Sequence, residues 1–398
     1  MEQVLYVSAL ASERLFNRLL ASADKEKPSQ PAQKFNFLIA KGMRDNGTNV
    51  TCLTGLPVTR RSHPNASSVS EKDELEDGIC YHYPPFLNKP LPKFLKFLIS
   101  SFVYTIKWGW KNRKTKHAVF VDVLCLPMLM GCMAASKLMG IKTFGVITDL
   151  PGLIAGGSSM SGRMISRLSN FLIESMTGKI PLTEQMCDVI NKRHKPYLVM
   201  EGLCDSNMAE KKRVLPSDGK RHITYTGAIH KIYGLDILAQ GFMMTENPDI
   251  VLDIYGSGDM AETLKEYQMK DPRIVYHGTV PIGDAVAAQL QSYLLVNPRP
   301  TKEEFTKYSF PSKTMEYMSS GVPLLTTKLP GIPNDYFPYL YFIDREDARG
   351  IEEALTNILA ESEADNIKRG EEAKKFVIQK KNNIAQTKRI LEFMDALI

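Results

Sequence analysis

The strongest constraint on this chain is an alternation of short apolar runs with longer helical patterns, and the alternation runs its course twice. Residues 4–8 read as a buried strand, 34–46 carry a helical pattern closed by Asn46-Gly47, and 49–53 read as the next strand. The order continues with 118–123 (strand), 126–140 (helix), 143–148 (strand), 162–175 (helix) and 178–182 (strand), and a further strand is expected at 197–200. Strands alternating with helices predict a mainly parallel sheet covered on both faces. Such strands are apolar almost throughout, as Phe144, Val146 and Ile147 are.

A polar stretch, 206–220, interrupts the pattern with Lys211, Lys212, Arg213, Pro216 and Gly219. It reads as a junction. Strands are then expected at 222–226, 250–255, 274–277, 294–297 and 323–326. Helices are expected at 234–243, 260–269, 282–291 and 312–318. The expected organisation is a first α/β domain over 1–205, a second over 206–375 and a closing helical segment over 376–398. That last segment is amphipathic through Ile384, Ile390, Leu391, Phe393, Met394 and Leu397, and it needs an apolar surface to pack on.

A chain of 398 residues is too long for one compact core, which agrees with two domains. The net charge of +6 is mild, so nucleic acid is not an expected partner; an anionic small molecule or an anionic membrane surface is. The six cysteines form no Cys-x-x-Cys pair and read as buried free thiols in a reducing compartment. The opening residues do not read as a secretory leader, because the apolar run is short and is broken by Glu13 and Arg14. No run of about 18 uncharged apolar residues is present. A cytoplasmic location is the expectation.

Residues 93–116, KFLKFLISSFVYTIKWGWKNRKTK, stand apart. Both tryptophans, Trp108 and Trp110, end an apolar cluster ringed by Lys and Arg. Two readings stay open: a helix lying in an anionic membrane interface, and a core helix with a solvated basic end.

The segment from Ser309 to Pro323 carries the clearest chemistry. Ser309, Phe310, Pro311, Ser312 and Lys313 follow a strand and a loop over 298–308, and Pro311 and Ser312 are helix-start residues, with Ser able to cap. A helix start offers free backbone N–H groups and partial positive charge, which suit a diphosphate, and Lys313 adds a full charge. Glu316 lies about one turn further in, where its carboxylate can meet a diol such as a ribose. Gly321 stops the helix. The alternative is an ordinary helix start with a solvated Lys and Glu.

This segment resembles the signature of the large retaining GT-B glycosyltransferase family, glycosyltransferase family four, which includes glycogen and sucrose synthases. Its Phe-Pro-Ser-Lys form resembles a branch common in bacterial surface-polysaccharide assembly. The resemblance implies an α/β GT-B fold, two Rossmann-like domains with an interdomain cleft, and a nucleotide-sugar donor, with UDP the expected nucleotide. The first domain is expected to bind the acceptor, a glycan or a lipid-linked glycan, the lipid-linked form being suggested by residues 93–116. In the family two glutamates, with seven residues between them, flank the helix start. Glu316 matches the second, which binds the ribose, while the first, which contacts the sugar, is replaced by Tyr308. The family also places a glycine and an Arg/Lys pair after the first strand of the second domain. Here Gly227 is present, the Arg position is Ala228 and the Lys position is Tyr233, leaving Lys231 as the nearest cation for the diphosphate. Gly256 and Gly258 match the next strand-turn, although a tight turn without ligand explains them equally. Arg299, just past a strand end, faces the donor or ties down its loop.

In the first domain Asp149 follows a buried strand at its carboxyl edge, within the run Thr148-Asp149-Leu150-Pro151-Gly152. It is the candidate to orient the acceptor hydroxyl or take its proton, or else to cap its loop. Glu201-Gly202 is placed near the cleft. No Asp-x-Asp pair appears, so no essential metal and no further cofactor is expected. Three rivals remain: a sugar-nucleotide 2-epimerase of the same architecture, an NAD-dependent oxidoreductase, which lacks its full glycine fingerprint here, and a non-catalytic membrane scaffold.

Overall fold

A computed structural model of the chain describes residues 1–151, 160–214 and 216–398. It divides into two compact units: unit 1 comprises Met1–Leu203 and Asn383–Ile398, and unit 2 comprises Cys204–Asn382.

Unit 1 follows the order β1 (Gln3–Ser8), α1 (Glu13–Ala21), α2 (Gln30–Asp45), β2 (Asn49–Thr54), β3 (Ser68–Val69), β4 (Glu74–Glu76), β5 (Ile79–His82) and β6 (Phe86–Leu87). It continues with α3 (Pro90–Lys111), β7 (His117–Asp122), α4 (Leu126–Met139), β8 (Thr143–Ile147), α5 (Met160–Ser175), β9 (Gly178–Pro181) and α6 (Glu184–Ile190). The sheet order is β4-β5-β2-β1-β7-β8-β9. All its pairings are parallel except β4–β5, and β3 and β6 form a separate antiparallel pair. Val4 to Val7 have no exposed surface, as expected of a strand covered on both faces. The helix expected over 34–46 begins earlier, at Gln30, because Ser29 Oγ accepts from Ala32 N and Pro31 sits in the first turn.

Unit 2 follows the order β10 (Arg221–Thr226), α7 (Leu235–Met244), β11 (Ile250–Tyr255), α8 (Ala261–Lys270), β12 (Ile274–Gly278), α9 (Ile282–Leu290) and β13 (Leu294–Asn297). Then come α10 (Ser312–Ser320), β14 (Leu324–Thr326), β15 (Leu340–Phe342), α11 (Ala348–Ala360) and α12 (Glu363–Lys380). Its sheet is wholly parallel, ordered β12-β11-β10-β13-β14-β15. Ile223, Leu252, Ile254 and Val296 meet Leu238 and Phe242 of α7 and Leu355 of α11 in the core. β10 and β13 lie side by side while the chain leaves them toward opposite edges. In open sheets the carboxyl ends at such a switch point are where ligands bind. In unit 1 the same place lies between β1 and β7.

Several sequence expectations need correction. The strand expected at 197–200 is a single bridge, Lys179 to Tyr197, followed by Leu198 N on Lys179 O and Met200 N on Pro181 O. The loop expected over 298–308 contains a 3-10 turn, Glu304–Tyr308. The chain ends in α13 (Asn383–Asp395), which belongs to unit 1, while α12 belongs to unit 2. All six cysteines are free, but only Cys52, Cys132 and Cys204 are buried and Cys80 is exposed. Gly152 lies outside the described residues.

Candidate functional site

The start of α10 is shaped by apolar anchoring rather than by a cap. Phe310 is buried against Tyr336, with ring centroids 5.5 Å apart. Pro311 occupies the N-cap position, and no side-chain cap bond forms there. Ser312 therefore does not cap: it is the exposed first helical residue. No side chain neutralises the positive end of the helix at the N-cap, although Thr314 N donates to the Pro311 carbonyl at 2.9 Å. Ser309 Oγ and Thr314 Oγ1 on either side are buried without a hydrogen-bond partner among the described residues. Buried polar atoms of this kind call for a ligand or water.

Lys313 runs from this tip to the end of β10, where its ammonium donates to the Thr226 carbonyl. The ammonium lies 5.5 and 5.6 Å from the ring centres of Tyr225 and Tyr317. Gly227, at φ +146°, leaves space for it, since a Cβ there would strike the Lys313 Cε and Nζ atoms. Glu316 lies one turn further along α10 and accepts from Gln289 Nε2 at 2.9 Å. The same amide donates to Thr226 Oγ1 at 2.8 Å, and Gln289 Oε1 has no partner among the described residues. Tyr317 O–H accepts from Thr226 N at 2.9 Å. Sequence reasoning missed Gln289, Thr226, Tyr225 and Tyr317. The signal for Gln289 was a lone amide in the apolar pattern of α9.

The glycine turns are explained first by each other. Gly227 N donates to Tyr255 O at 2.8 Å and Ile229 N to Ser257 O at 2.9 Å. A Cβ on Gly256, at φ +139°, would meet the Gly227 carbonyl, and one on Gly258 would meet Ile229 backbone. The two loops thus lie backbone to backbone, a closeness only glycine permits. Asp259 fastens them, accepting from Lys231 N at 3.1 Å and pairing with His230 at 3.2 Å. The Lys231 side chain is exposed.

Arg299 follows β13, across the switch point from Gly227. Its guanidinium sits 4.7 Å from the ring centre of Tyr233 and 5.5 Å from that of Phe305. Among the described residues it has no ion pair, and its Nε is buried and unpartnered. Burial lowers its pKa, with Tyr233 and Tyr225 opposing. The loop holding it is pressed onto Gly234, whose absent Cβ leaves room for the Pro298 carbonyl. The structure therefore brings together Gly227, Gly256, Gly258, Lys313 and Glu316, with Lys231 further along the Gly227 loop and Arg299 on the neighbouring loop after β13. Tyr308 closes the 3-10 turn that leads to Ser309.

Asp149 belongs to unit 1. Burial, and then Asp122, push its pKa up to about 6. Asp122 ends β7, is raised by burial itself, and accepts from Asn36 Nδ2 at 3.2 Å and Leu124 N at 3.1 Å. Two carboxyls thus share the carboxyl edge of this sheet. Glu201 is buried and accepts from Gln386 Nε2 of α13 at 3.3 Å, which gives it a structural partner. Among the described residues no group of three or more His, Cys, Asp and Glu side chains could hold a metal ion.

With this geometry in place, comparison with known proteins defines the class. Three solved structures superpose along the whole chain. The Anabaena protein HepE in complex with UDP is 13% identical, with a TM-score of 0.66 and 100% of both chains covered. A sucrose-phosphate synthase from Thermosynechococcus elongatus is 13% identical, at a TM-score of 0.65 over 100% of this chain and 99% of that one. A UDP-forming trehalose-phosphate synthase from Burkholderia xenovorans is 11% identical, at 0.64 over 100% and 99%. These likenesses establish the GT-B fold of two Rossmann-like domains. The model of the family described as glycosyl transferases group 1 matches residues 220–361, so unit 2 carries that domain and the protein is a glycosyltransferase. No curated protein sequence matches the chain.

Proposed function

We propose that the protein moves a sugar, with retention of anomeric configuration, from a UDP-sugar to a glycan or lipid-linked acceptor in surface polysaccharide or glycoconjugate synthesis. The observation that carries this reading is the α10 tip: an uncapped, exposed helix start with Lys313 laid over Gly227 at the switch point of a parallel sheet. The similar Anabaena protein has been solved with UDP and with UDP-glucose, which supports the choice of nucleotide.

In this reading the diphosphate lies at the α10 amides. Lys313, Arg299 and Lys231 supply its counter-charge without a metal ion, and Glu316 accepts from the ribose hydroxyls. Gly227, Gly256 and Gly258 let backbone approach it. The bond from the anomeric carbon to the phosphate oxygen breaks with its electron pair going to that oxygen, where preorganised dipoles and cations stabilise it. The acceptor oxygen bonds to the anomeric carbon, and Asp149 of unit 1 takes its proton. That requires the ionised carboxylate, available above about pH 6. Unit 1 binds the acceptor, and the reaction takes place in the cytoplasm.

Incubation with UDP-sugars and candidate acceptors, followed by NMR of the product, tests the proposal. The expected result is UDP release coupled to a glycoside of unchanged anomeric configuration. An epimerised nucleotide-sugar formed without acceptor would instead favour the 2-epimerase.

A further inference from the structure

We infer that α3 carries the surface by which unit 1 docks on an anionic lipid bilayer. The inference deepens the lipid-linked acceptor reading and rests on it for its meaning, although the docking itself is tested without any substrate.

The helix has two faces of different fate. One packs on α4: Phe97, Ser101, Thr105 and Trp108 are buried, and Gly131 of α4 leaves room only for Ser101 and the Leu98 carbonyl. The other is apolar and uncovered. Leu91 is 68% exposed, Leu95 48%, Ile99 55%, Val103 41% and Trp110 61%. Steps of four residues keep Leu91, Leu95, Ile99 and Val103 on one side of the helix, Trp110 returns to that side seven residues on, and from Leu91 to Trp110 the row extends about 28 Å at 1.5 Å per residue. The core-helix reading of 93–116 thus holds for one face, and the other face is left exposed.

Charge selects the occupant. Residues 78–121 contain no Asp or Glu and eight Lys or Arg. Two of these are engaged within the protein: Lys93 donates to Val58 O at 2.8 Å, and Lys116 pairs with Asp395 at 2.9 Å. Lys89, Lys96, Lys107, Lys111, Arg113 and Lys114 are exposed, and none has an ion pair among the described residues. Lys96 and Lys107 border the apolar row, and the Arg113 guanidinium lies 4.0 Å from the ring centre of Trp110. Apolar side chains flanked by unpaired cations, with an aromatic at the end, match the boundary between acyl chains and anionic headgroups. A second copy of the chain fits less well, because a self-complementary contact would set this cation row against itself. No described helix is long and apolar enough to cross a membrane, so the contact lies in the interface plane.

The test is co-sedimentation with phosphatidylcholine vesicles, with and without phosphatidylglycerol. Wild-type protein is expected to partition onto the anionic vesicles at least about tenfold more than onto the neutral ones, and less as salt rises. The Leu95→Ser/Ile99→Ser/Trp110→Ser variant should lose about tenfold or more of that binding. The Lys96→Glu/Lys107→Glu/Lys111→Glu variant should lose more still. Melting temperature and the UDP-induced thermal shift, read on the same preparations, should stay unchanged, which separates failure of docking from failure of the donor site. Equal binding of wild type and both variants would overturn the inference. So would wild-type protein left in the supernatant, or a concentration-dependent dimer that the same substitutions dissolve.

Discussion

At the scale of single residues, three cations and one carboxylate on α10 and neighbouring loops surround the end of β10. Gln289 donates to Glu316 and has no exposed surface, so it fixes the carboxylate without touching a ligand itself. Gln289→Leu should raise the donor KM about 3- to 10-fold while kcat changes little, since a net hydrogen bond is worth about 0.5–1.5 kcal/mol. Arg299 is held between Tyr233 and Phe305 and has no ion pair among the described residues. Arg299→Leu should therefore weaken donor binding by about tenfold or more, a lost charge-assisted bond being worth about 1.5–3 kcal/mol. It should leave the fold intact, as calorimetric titration and melting would show; undiminished UDP affinity would assign Arg299 to its loop alone. Asp149 gives a pH test. Its pKa is raised to about 6, so kcat/KM should climb as pH rises through 6, and Asp149→Asn should lower the plateau and flatten that limb. The sign for stability is opposite. A carboxyl with a raised folded pKa binds its proton more tightly in the folded state, so its contribution is full below its unfolded value and is lost as pH rises through 6. Activity and stability should thus run against each other across this window.

At the scale of elements, unit 2 contains a polar cluster away from the α10 tip. His222 Nδ1 meets Asp253 at 2.5 Å, His222 Nε2 meets Asp218 at 3.0 Å, and His277 Nε2 meets Asp253 at 2.6 Å. Asp253 raises the His222 pKa to about 9, against desolvation and with help from Asp218. This stabilisation is complete below pH 6.5 and is lost as pH rises toward 9. His222→Gln should flatten the fall in melting temperature between those values, and an unchanged slope would contradict the assignment. Gly256→Ala should destabilise by about 1–3 kcal/mol from backbone strain alone, before the clash with the Gly227 carbonyl is added. Most strands and helices were legible in the sequence because buried parallel strands are apolar runs and helix ends carry Gly or Pro signals, as at Gly140 and Gly321, both left-handed. The short β3 to β6 strands were not legible, since two- to four-residue pairs have too little periodicity to read. The α10 tip was legible as Pro-Ser-Lys, but Ser312 was misread as a cap because Phe310 burial, a tertiary effect, set the start of the helix. Arg299 was visible only as a strand-end cation. Its aromatic clamp joins residues 233, 299 and 305, which spacing alone does not connect.

At the scale of the whole molecule, both chain ends lie in unit 1. The Met1 ammonium pairs with Asp395 of α13 at 2.7 Å, and Gln386 Nε2 donates to Gly202 O at 2.8 Å. Ile390 and Met394 have no exposed surface, and Gly42 of α2 lies against Asn383 and Thr387. Ending the chain at Asn382 should remove several kcal/mol from unit 1, since each fully buried apolar side chain contributes about 1.5–3 kcal/mol, and calorimetry should show one transition lost or lowered. UDP binding, which the proposed function assigns to unit 2, should survive this truncation; loss of both together would refute the division of labour. The central claim is that the amides and lysine at the start of α10 hold a nucleoside diphosphate, and the UDP-dependent melting temperature tests it most directly. Saturating UDP at about 100 times its Kd should stabilise wild-type protein by about 2.7 kcal/mol. The Lys313→Ala/Glu316→Ala variant should show little or no rise, and an equal rise in both proteins would contradict the account.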